Sequence, residues 1–334
     1  MKMEALRNAG VEVFYFPNKG RSKRNLKERI LNKLSKARVK KMVRSLPVNR
    51  YDCVVVNMGA FENTTTAWKD FYTLTDNYIV LYHNYKKHEV FRGGKKRAIQ
   101  NWINQARYNL FASTKIAEVL EHNSGIKVAN ADRLLNPISF DIPFQPHSYP
   151  PLQNGKYRLI MLAALDVSRK AQDILIDVLS SEKWLSRNWS LHLYGDGQDR
   201  QMLQELINKK GAEQKIFLEG HTDNVKSVLE QGHLLLQLTH MDAMPLSVVE
   251  AMAVARPVVA SKVGDMPEWI RENENGWLSE DASAEEIDQV LERAWQQKTR
   301  WPQMGEKSFS IFREKFSGSA EQNLLDKIGA AIEK

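Results

Sequence analysis

A single cysteine, Cys53, stands in the whole 334-residue chain. No intrachain disulfide can form, and a reducing compartment is the expected setting. No apolar run reaches the roughly 18 residues that a membrane-spanning helix needs. The N-terminus lacks the charged, apolar and small-residue succession of a secretory signal, so a cytoplasmic protein is expected. Asn-x-Thr at Asn63 and Asn-x-Ser at Asn188 then read as chance matches. The 8 histidines show no metal-ligand spacing, and no Cys/His or Ser/His/Asp arrangement is readable. No metal and no cofactor are therefore expected. Acidic residues are scarce in one half only. Residues 1–150 hold 26 Lys+Arg against 12 Asp+Glu, a net of +14, whereas residues 151–334 hold 22 against 28, a net of −6. The halves are different electrostatic objects, and the partner of the first is expected to be anionic.

What is present suits two domains, each long enough for its own core. In the second half, RLIMLAAL (158–165), LHLYG (191–195), KIFLEG (215–220), LLLQL (234–238) and PVVASKV (257–263) read as strands. Helical patterns at 171–180, 198–210, 223–231 and 245–255 alternate with them. Short, nearly continuous apolar strands separated by helices imply a parallel sheet covered on both faces, with ligands at the carboxyl ends of the strands. The turns there are Gly195-Asp196-Gly197, Gly220-His221-Thr222-Asp223 and the loop leading to Asp242. The first half is also βα-like, with strands expected at 11–16, 52–58, 77–83 and 108–113. Residues 123–151 read as the passage between domains, with a break near residue 150 that coincides with the change of charge.

The stretch 242–278, DAMPLSVVEAMAVARPVVASKVGDMPEWIRENENGWL, carries the most chemistry. It reads as loop, helix, strand, Gly turn, short helix, Asn-Gly turn and strand. Asp242 lies before the helix and Glu250 within it, so mostly helical chain holds them roughly 10–12 Å apart. That span is too long for one metal ion but close to the length of a sugar joined through two phosphates to a ribose. Between them the first helical amides, near Met244, Leu246 and Ser247, favour an anion, and Pro245 has no donor to lose there.

This segment resembles the donor-site signature of the retaining family 4 glycosyltransferases (glycosyl transferases group 1). Their pattern is an acid, seven residues and Glu, then Ala-Met-Ala, Pro-Val-Val and a Gly-x-x-Pro-Glu turn. Here these stand as Asp242 and Glu250, Ala251-Met252-Ala253, Pro257-Val258-Val259 and Gly264-Asp265-Met266-Pro267-Glu268. Asp242 replaces the usual Glu, Ala255-Arg256 replaces the usual Gly before the proline, and Asp265 replaces the second Gly of the turn. The resemblance implies a GT-B fold: two Rossmann-like α/β domains, 1–150 for the acceptor and 151–317 for the donor, with a last helix in 318–334 crossing back to the first. EALRNAG reads as the end of the family's first helix, so the first domain is expected to lack its first strand and the Gly-rich turn that nears the donor phosphates.

The same resemblance assigns roles. Lys170 matches the family's diphosphate-binding Lys; Ala164 stands where an Arg is usual, and Arg169 is expected to substitute for it. Asp242 would support the sugar and Glu250 grip the ribose. His83, ending the strand in LYHNY, matches a histidine near the donor sugar. Gly195, Thr222, Asp223 and Lys226 fall where relatives bind the nucleotide, with Asp223 either accepting from a base or merely starting a helix. Residues 19–44 hold 12 Lys+Arg and one acid, with Leu26, Ile30, Leu34 and Ala37 at helical spacing. This basic amphipathic helix suits an anionic membrane surface, a solvated face being the plainer reading; nucleic acid is disfavoured because no aromatic interleaving accompanies it. Lys86, Lys87, Arg92, Lys95, Lys96 and Arg97 form a second basic cluster. The expected function is transfer of a sugar from a UDP- or GDP-sugar to a glycan or lipid-linked acceptor in surface polysaccharide synthesis, on the inner face of a membrane. The competing expectation is a non-catalytic relative that binds nucleotide or glycan.

Overall fold

The computed structural model describes residues 3–12, 45, 47–60, 73–84, 91–128, 130–316 and 318–333. It forms two compact units, Met1–Pro137 with Gly318–Lys334, and Ile138–Ser317. The expected strand at 11–16 falls outside the described residues except for Val11 and Glu12, which are irregular. The basic segment 19–44 and residues Lys86 and Lys87 also lie outside them.

In the first unit, β1 (Val54–Ala60), β2 (Tyr78–Asn84), β3 (Tyr108–Phe111) and β4 (Ala131–Arg133) form a parallel sheet in that order. Tyr78 to Tyr82 of β2 are all buried, as an unbroken apolar run in a parallel sheet requires. The helix Thr114–Ser124 starts where the Ser113 hydroxyl accepts the Lys115 N–H, and stops at Gly125 in the left-handed region. The terminal helix Ala320–Ile332 buries Leu324 and Ala331 against Ile79, Leu81 and Leu110, and Lys327 pairs with Asp132.

The second unit is a six-stranded parallel sheet of order β10-β9-β8-β5-β6-β7. Its strands are β5 (Tyr157–Leu162), β6 (Trp189–Tyr194), β7 (Ile216–Gly220), β8 (Leu234–Gln237), β9 (Val258–Ser261) and β10 (Gly276–Ser279). On one face Leu159, Met161, Leu191, Leu193 and Leu236 pack under the helices Gln172–Leu179, Arg200–Lys209 and Ala284–Gln296. The alternate residues face the other way: Ile160 meets Gly232, and Gln237 meets Ser247 of the helix Leu246–Ala253. That helix packs with Val225–Gln231 and Trp301–Lys315. Strand order therefore reverses between β5 and its neighbour β8, whose following helices leave to opposite faces. Outside the carboxyl ends of two such strands lies the crevice where ligands bind in open α/β sheets.

The division between units at Pro137 and Ile138 is earlier than the break expected near residue 150. The reason is local: the Tyr149 hydroxyl donates to the His233 carbonyl, and the Arg256 guanidinium donates to the Ser148 carbonyl, so this Pro-rich segment is fastened to the second unit. The helices Ala284–Gln296 and Trp301–Lys315 were not among the patterns read from the sequence, although the first is marked by Ser283, whose hydroxyl accepts the Glu286 N–H, and by apolar residues at 287, 290, 291 and 294.

Candidate functional site: the switch point of the second unit

Three loops converge at the carboxyl end of the sheet. The first follows β5. It runs through Ala163–Asp166 into the short helix Val167–Lys170, held by Val167 N–H donating to Asp199 and by the Gln172 amide donating to the Ala164 carbonyl. The second follows β6, where Gly195 has φ +138° and an added Cβ would lie 2.0 Å from the Ala163 carbonyl oxygen. Only glycine lets these two loops lie against each other. The third follows β8, and the Arg169 carbonyl accepts from both the Thr239 hydroxyl (2.5 Å) and the His240 N–H (2.9 Å). The loops after β5 and β8 are thus tied across the switch point.

This brings together Lys170 and Asp242, 72 residues apart in sequence. The Lys170 ammonium pairs with Asp242 Oδ2, while Oδ1 accepts the Ala243 N–H at 2.9 Å. Their side chains retain only 11% and 16% of their exposure, so the pair is poorly screened by water. Gly264, at φ +55°, presses the turn after β9 onto the same loop: an added Cβ would lie 2.2 Å from the Ala243 carbonyl oxygen and 2.6 Å from that of Asp242. The Asp265 N–H donates to the Ala243 carbonyl at 2.9 Å. The Gly-x-x-Pro-Glu turn read from the sequence therefore buttresses the backbone that carries Asp242.

Pro245 is the N-cap of Leu246–Ala253, and no side chain caps that helix end. Met244 and Pro245 are buried and Leu246 is half-buried. The Ser247 hydroxyl is engaged with Gln237 Oε1 at 3.1 Å. Glu250, only 6% exposed, accepts the Ser139 N–H at 2.8 Å through Oε1. Arg169 is half-buried, and its Nε is buried without a hydrogen-bond partner among the described residues.

The residues expected around the base are engaged locally beyond β7, the edge strand farthest from β10. Asn224, not Asp223, caps the next helix by accepting the Ser227 N–H at 3.3 Å, because that helix starts at Val225. Asp223, with a side chain 99% exposed, lies 3.1 Å from His221 Nε2. The Thr222 hydroxyl accepts the Asn224 N–H, and Lys226 lies 3.7 Å from Glu230. In the first unit, His83 at the end of β2 is half-buried, with Nδ1 2.7 Å from Asn136 Oδ1. Burial holds its pKa below the usual histidine value against the opposing pull of that hydrogen bond. Among the described residues no group of three or more His, Cys, Asp or Glu side chains comes together as a metal site, and no helix is long and apolar enough to cross a membrane.

Sequence reasoning missed Asn136, the Ser139 amide and Thr239, whose partners lie 53, 111 and 70 residues away. Arg256 stands out in the sequence only as a departure from the family pattern, and the structure gives it a role. This residue is 1% exposed, and its guanidinium donates to the carbonyls of Ser148, Leu229, Glu230, Val254 and Ala255 at 2.8–3.1 Å. Ala255 before it adopts φ +60°, the conformation for which glycine is the usual residue. The replacement of glycine noted in the sequence thus keeps the glycine backbone and adds a cation on the carbonyl ends of two helices.

A parallel sheet whose switch point carries a largely buried ion pair and an uncapped helix start is an α/β unit suited to an anionic ligand at the carboxyl ends of its strands. In comparison with known proteins, the model for glycosyl transferases group 1 matches residues 147–309, a little under half of the chain. The poly(ribitol-phosphate) alpha-N-acetylglucosaminyltransferase of Staphylococcus aureus (strain COL) is 27% identical over 163 residues, covering 48% of this chain and 30% of that protein. A glycosyltransferase from Rickettsia africae ESF-5 superposes with a TM-score of 0.74 at 14% identity, covering 99% of this chain and 88% of that one. Anabaena Alr3699/HepE in complex with UDP-glucose gives a TM-score of 0.69 at 18% identity, with coverage of 99% and 88%. These likenesses establish the fold as GT-B. The chain spans about a quarter to two-fifths of the length of the curated relatives it matches (24% and 40% at the extremes).

Proposed function

We propose that this chain is a retaining glycosyltransferase that binds a UDP- or GDP-sugar in its second unit and passes the sugar to a glycan or lipid-linked acceptor. The observation that carries this reading is the Lys170–Asp242 pair spanning the switch point beside the uncapped start of Leu246–Ala253. A diphosphate arriving there meets the amides of that helix start and a cation. It would draw the Lys170 ammonium away from Asp242. Lys170, with Arg169 beside it, then stabilises charge developing on the leaving phosphate, and Asp242 supports the sugar. The leaving phosphate itself would take the acceptor's proton on the same face of the sugar. Glu250 Oε1 is held by Ser139, which leaves Oε2 for the ribose hydroxyls. By the resemblance, His83 is assigned to the sugar.

The relatives support the wider setting. One acts on poly(ribitol phosphate) and another is the poly(glycerol-phosphate) alpha-glucosyltransferase of Bacillus subtilis (strain 168), both anionic polymers. The excess of cations over residues 1–150 suits an anionic acceptor or an anionic bilayer surface, and it supports a proposed site of action at the cytoplasmic face of a membrane.

Calorimetric titration with UDP and GDP tests the donor site. One nucleotide should bind, and Glu250→Ala should weaken it by about 2–3 kcal/mol, roughly 30–150-fold, for loss of charged hydrogen bonds to the ribose. Glu250→Gln, which keeps an acceptor for the Ser139 N–H, controls for local unfolding. Unchanged affinity in both variants refutes the ribose role. The mutual neutralisation of Lys170 and Asp242 favours one rival, a non-catalytic nucleotide-binding relative. Nucleotide binding with no release of nucleoside diphosphate from any nucleotide-sugar, across ribitol-phosphate, glycerol-phosphate and lipid-linked acceptors, would select it.

A further inference from the structure

His83 and Asn136 come together in the first unit from the end of β2 and from the residue that precedes Pro137. Asn136 Oδ1 lies 2.7 Å from His83 Nδ1. An amide oxygen can only accept, so at this distance the Nδ1 atom carries the ring proton and donates it. The other ring nitrogen, Nε2, is buried and has no hydrogen-bond partner among the described residues. Buried polar nitrogens are ordinarily satisfied, so an orphan of this kind calls for a partner that arrives later. With the proton on Nδ1, what Nε2 presents is a lone pair. The group that satisfies it is therefore a donor, and for a neutral ring the fitting chemistry is a hydroxyl.

We infer that Asn136 is a positioning residue that fixes His83 in the Nδ1–H tautomer, so that Nε2 accepts a hydrogen bond from a hydroxyl of the sugar substrate. The inference rests on the proposed transfer reaction only for the identity of that hydroxyl; the tautomer stands on the geometry alone. Burial keeps the ring neutral, which preserves the lone pair at neutral pH. Without Asn136 the ring would be free to rotate or to move its proton to Nε2, turning an acceptor into a donor that repels nothing but satisfies no hydroxyl hydrogen.

The test uses the full chain with histidine-selective nitrogen labelling. His83→Gln supplies the blank that assigns the resonances, and the long-range proton–nitrogen NMR spectrum reads the tautomer without substrate. The wild type should show Nδ1–H, Asn136→Ala should lose that preference, and Asn136→Asp should retain it. Turnover supplies the second readout. Asn136→Ala should lower kcat at least 10-fold with a smaller change in nucleotide-sugar KM. Asn136→Asp should recover kcat at high pH, with the acidic limb of the pH profile moved upward, because a carboxylate beside Nδ1 favours the charged ring. A wild-type ring protonated on Nε2, or a tautomer unchanged in Asn136→Ala, overturns the inference. The expected tautomers together with no turnover of any nucleotide-sugar by the wild type would instead overturn the proposed function and leave the positioning role of Asn136 supported.

Discussion

Replacing Arg256 with methionine should cost the second unit about 2–4 kcal/mol. The figure follows from the acceptors left behind. Arg256 donates to five backbone carbonyls. The Leu229 carbonyl also accepts the Gly232 N–H at 3.0 Å, and Ser148 is exposed, so water can replace the guanidinium there. The carbonyls of Glu230, Val254 and Ala255 remain at stake, each at about 1–1.5 kcal/mol, the low end for a buried acceptor stripped of its donor. Methionine fills comparable space, which limits any cavity contribution. Relief of cation burial works in the other direction: desolvation pulls the Arg256 pKa down to about 10. That relief offsets part of the sum from the three carbonyls and leaves about 2–4 kcal/mol. For a unit of this size each kcal/mol moves Tm by about 2–4 °C, so scanning calorimetry should show a fall of about 4–16 °C. Arg256→Lys should fall between the two, since an ammonium has three donors and cannot span the same fork. A Tm within about 2 °C of wild type in Arg256→Met would refute the claim that this side chain holds the ends of two helices together.

Two further outcomes are expected. His233 is fully buried, its Nδ1 accepts the Arg158 N–H at 2.9 Å, and burial first, then the nearby Arg256 charge, pull its pKa down from 6.5 to about 4. Between those values the unfolded chain takes up a proton that the folded chain refuses, so stability is full above about pH 6.5 and falls as pH drops toward 4. The loss at pH 5 should be about 2 kcal/mol, read by urea unfolding at pH 7 and pH 5, and His233→Asn should remove it while keeping an acceptor for Arg158; parallel pH slopes in the two proteins would contradict the assignment. Separately, the full chain should sediment with anionic vesicles and be released by salt, and glutamine at the cationic positions of 19–44 should abolish the binding; persistent binding by that variant would sink the membrane proposal.

Much of the second unit was legible in its sequence. Strands such as LLLQ and VVAS are short and wholly buried, so they read as apolar runs between helical patterns; β7 to β9 fall within the expected stretches, and β5 and β6 overlap theirs but start at Tyr157 and Trp189, ahead of the expected 158 and 191. The donor-site segment was legible too, because its acids, its Pro-Val-Val strand and its glycine turn follow one another within a few dozen residues. Local spacing carries such signals. The exact helix start after β7 was not legible, since Asp223 and Asn224 are both good caps and only the backbone path selects the second.

What the sequence alone determined was the alternation of buried strands and helices, the charge difference between the halves and the identity of the residues around Asp242 and Glu250. What only the tertiary structure decided was which of those residues meet. Lys170 finds Asp242 because parallel strands β5 and β8 are neighbours despite the chain between them, and the reversal of strand order puts both loops at one end of the sheet. Ser139 reaches Glu250, and Asn136 reaches His83, by the same kind of long-range closure. Periodicity reports which face of an element is buried, through the 3.6- and 2-residue repeats of its side chains. It carries no information about pairing across 50 to 110 residues, which is set by packing the whole sheet at once.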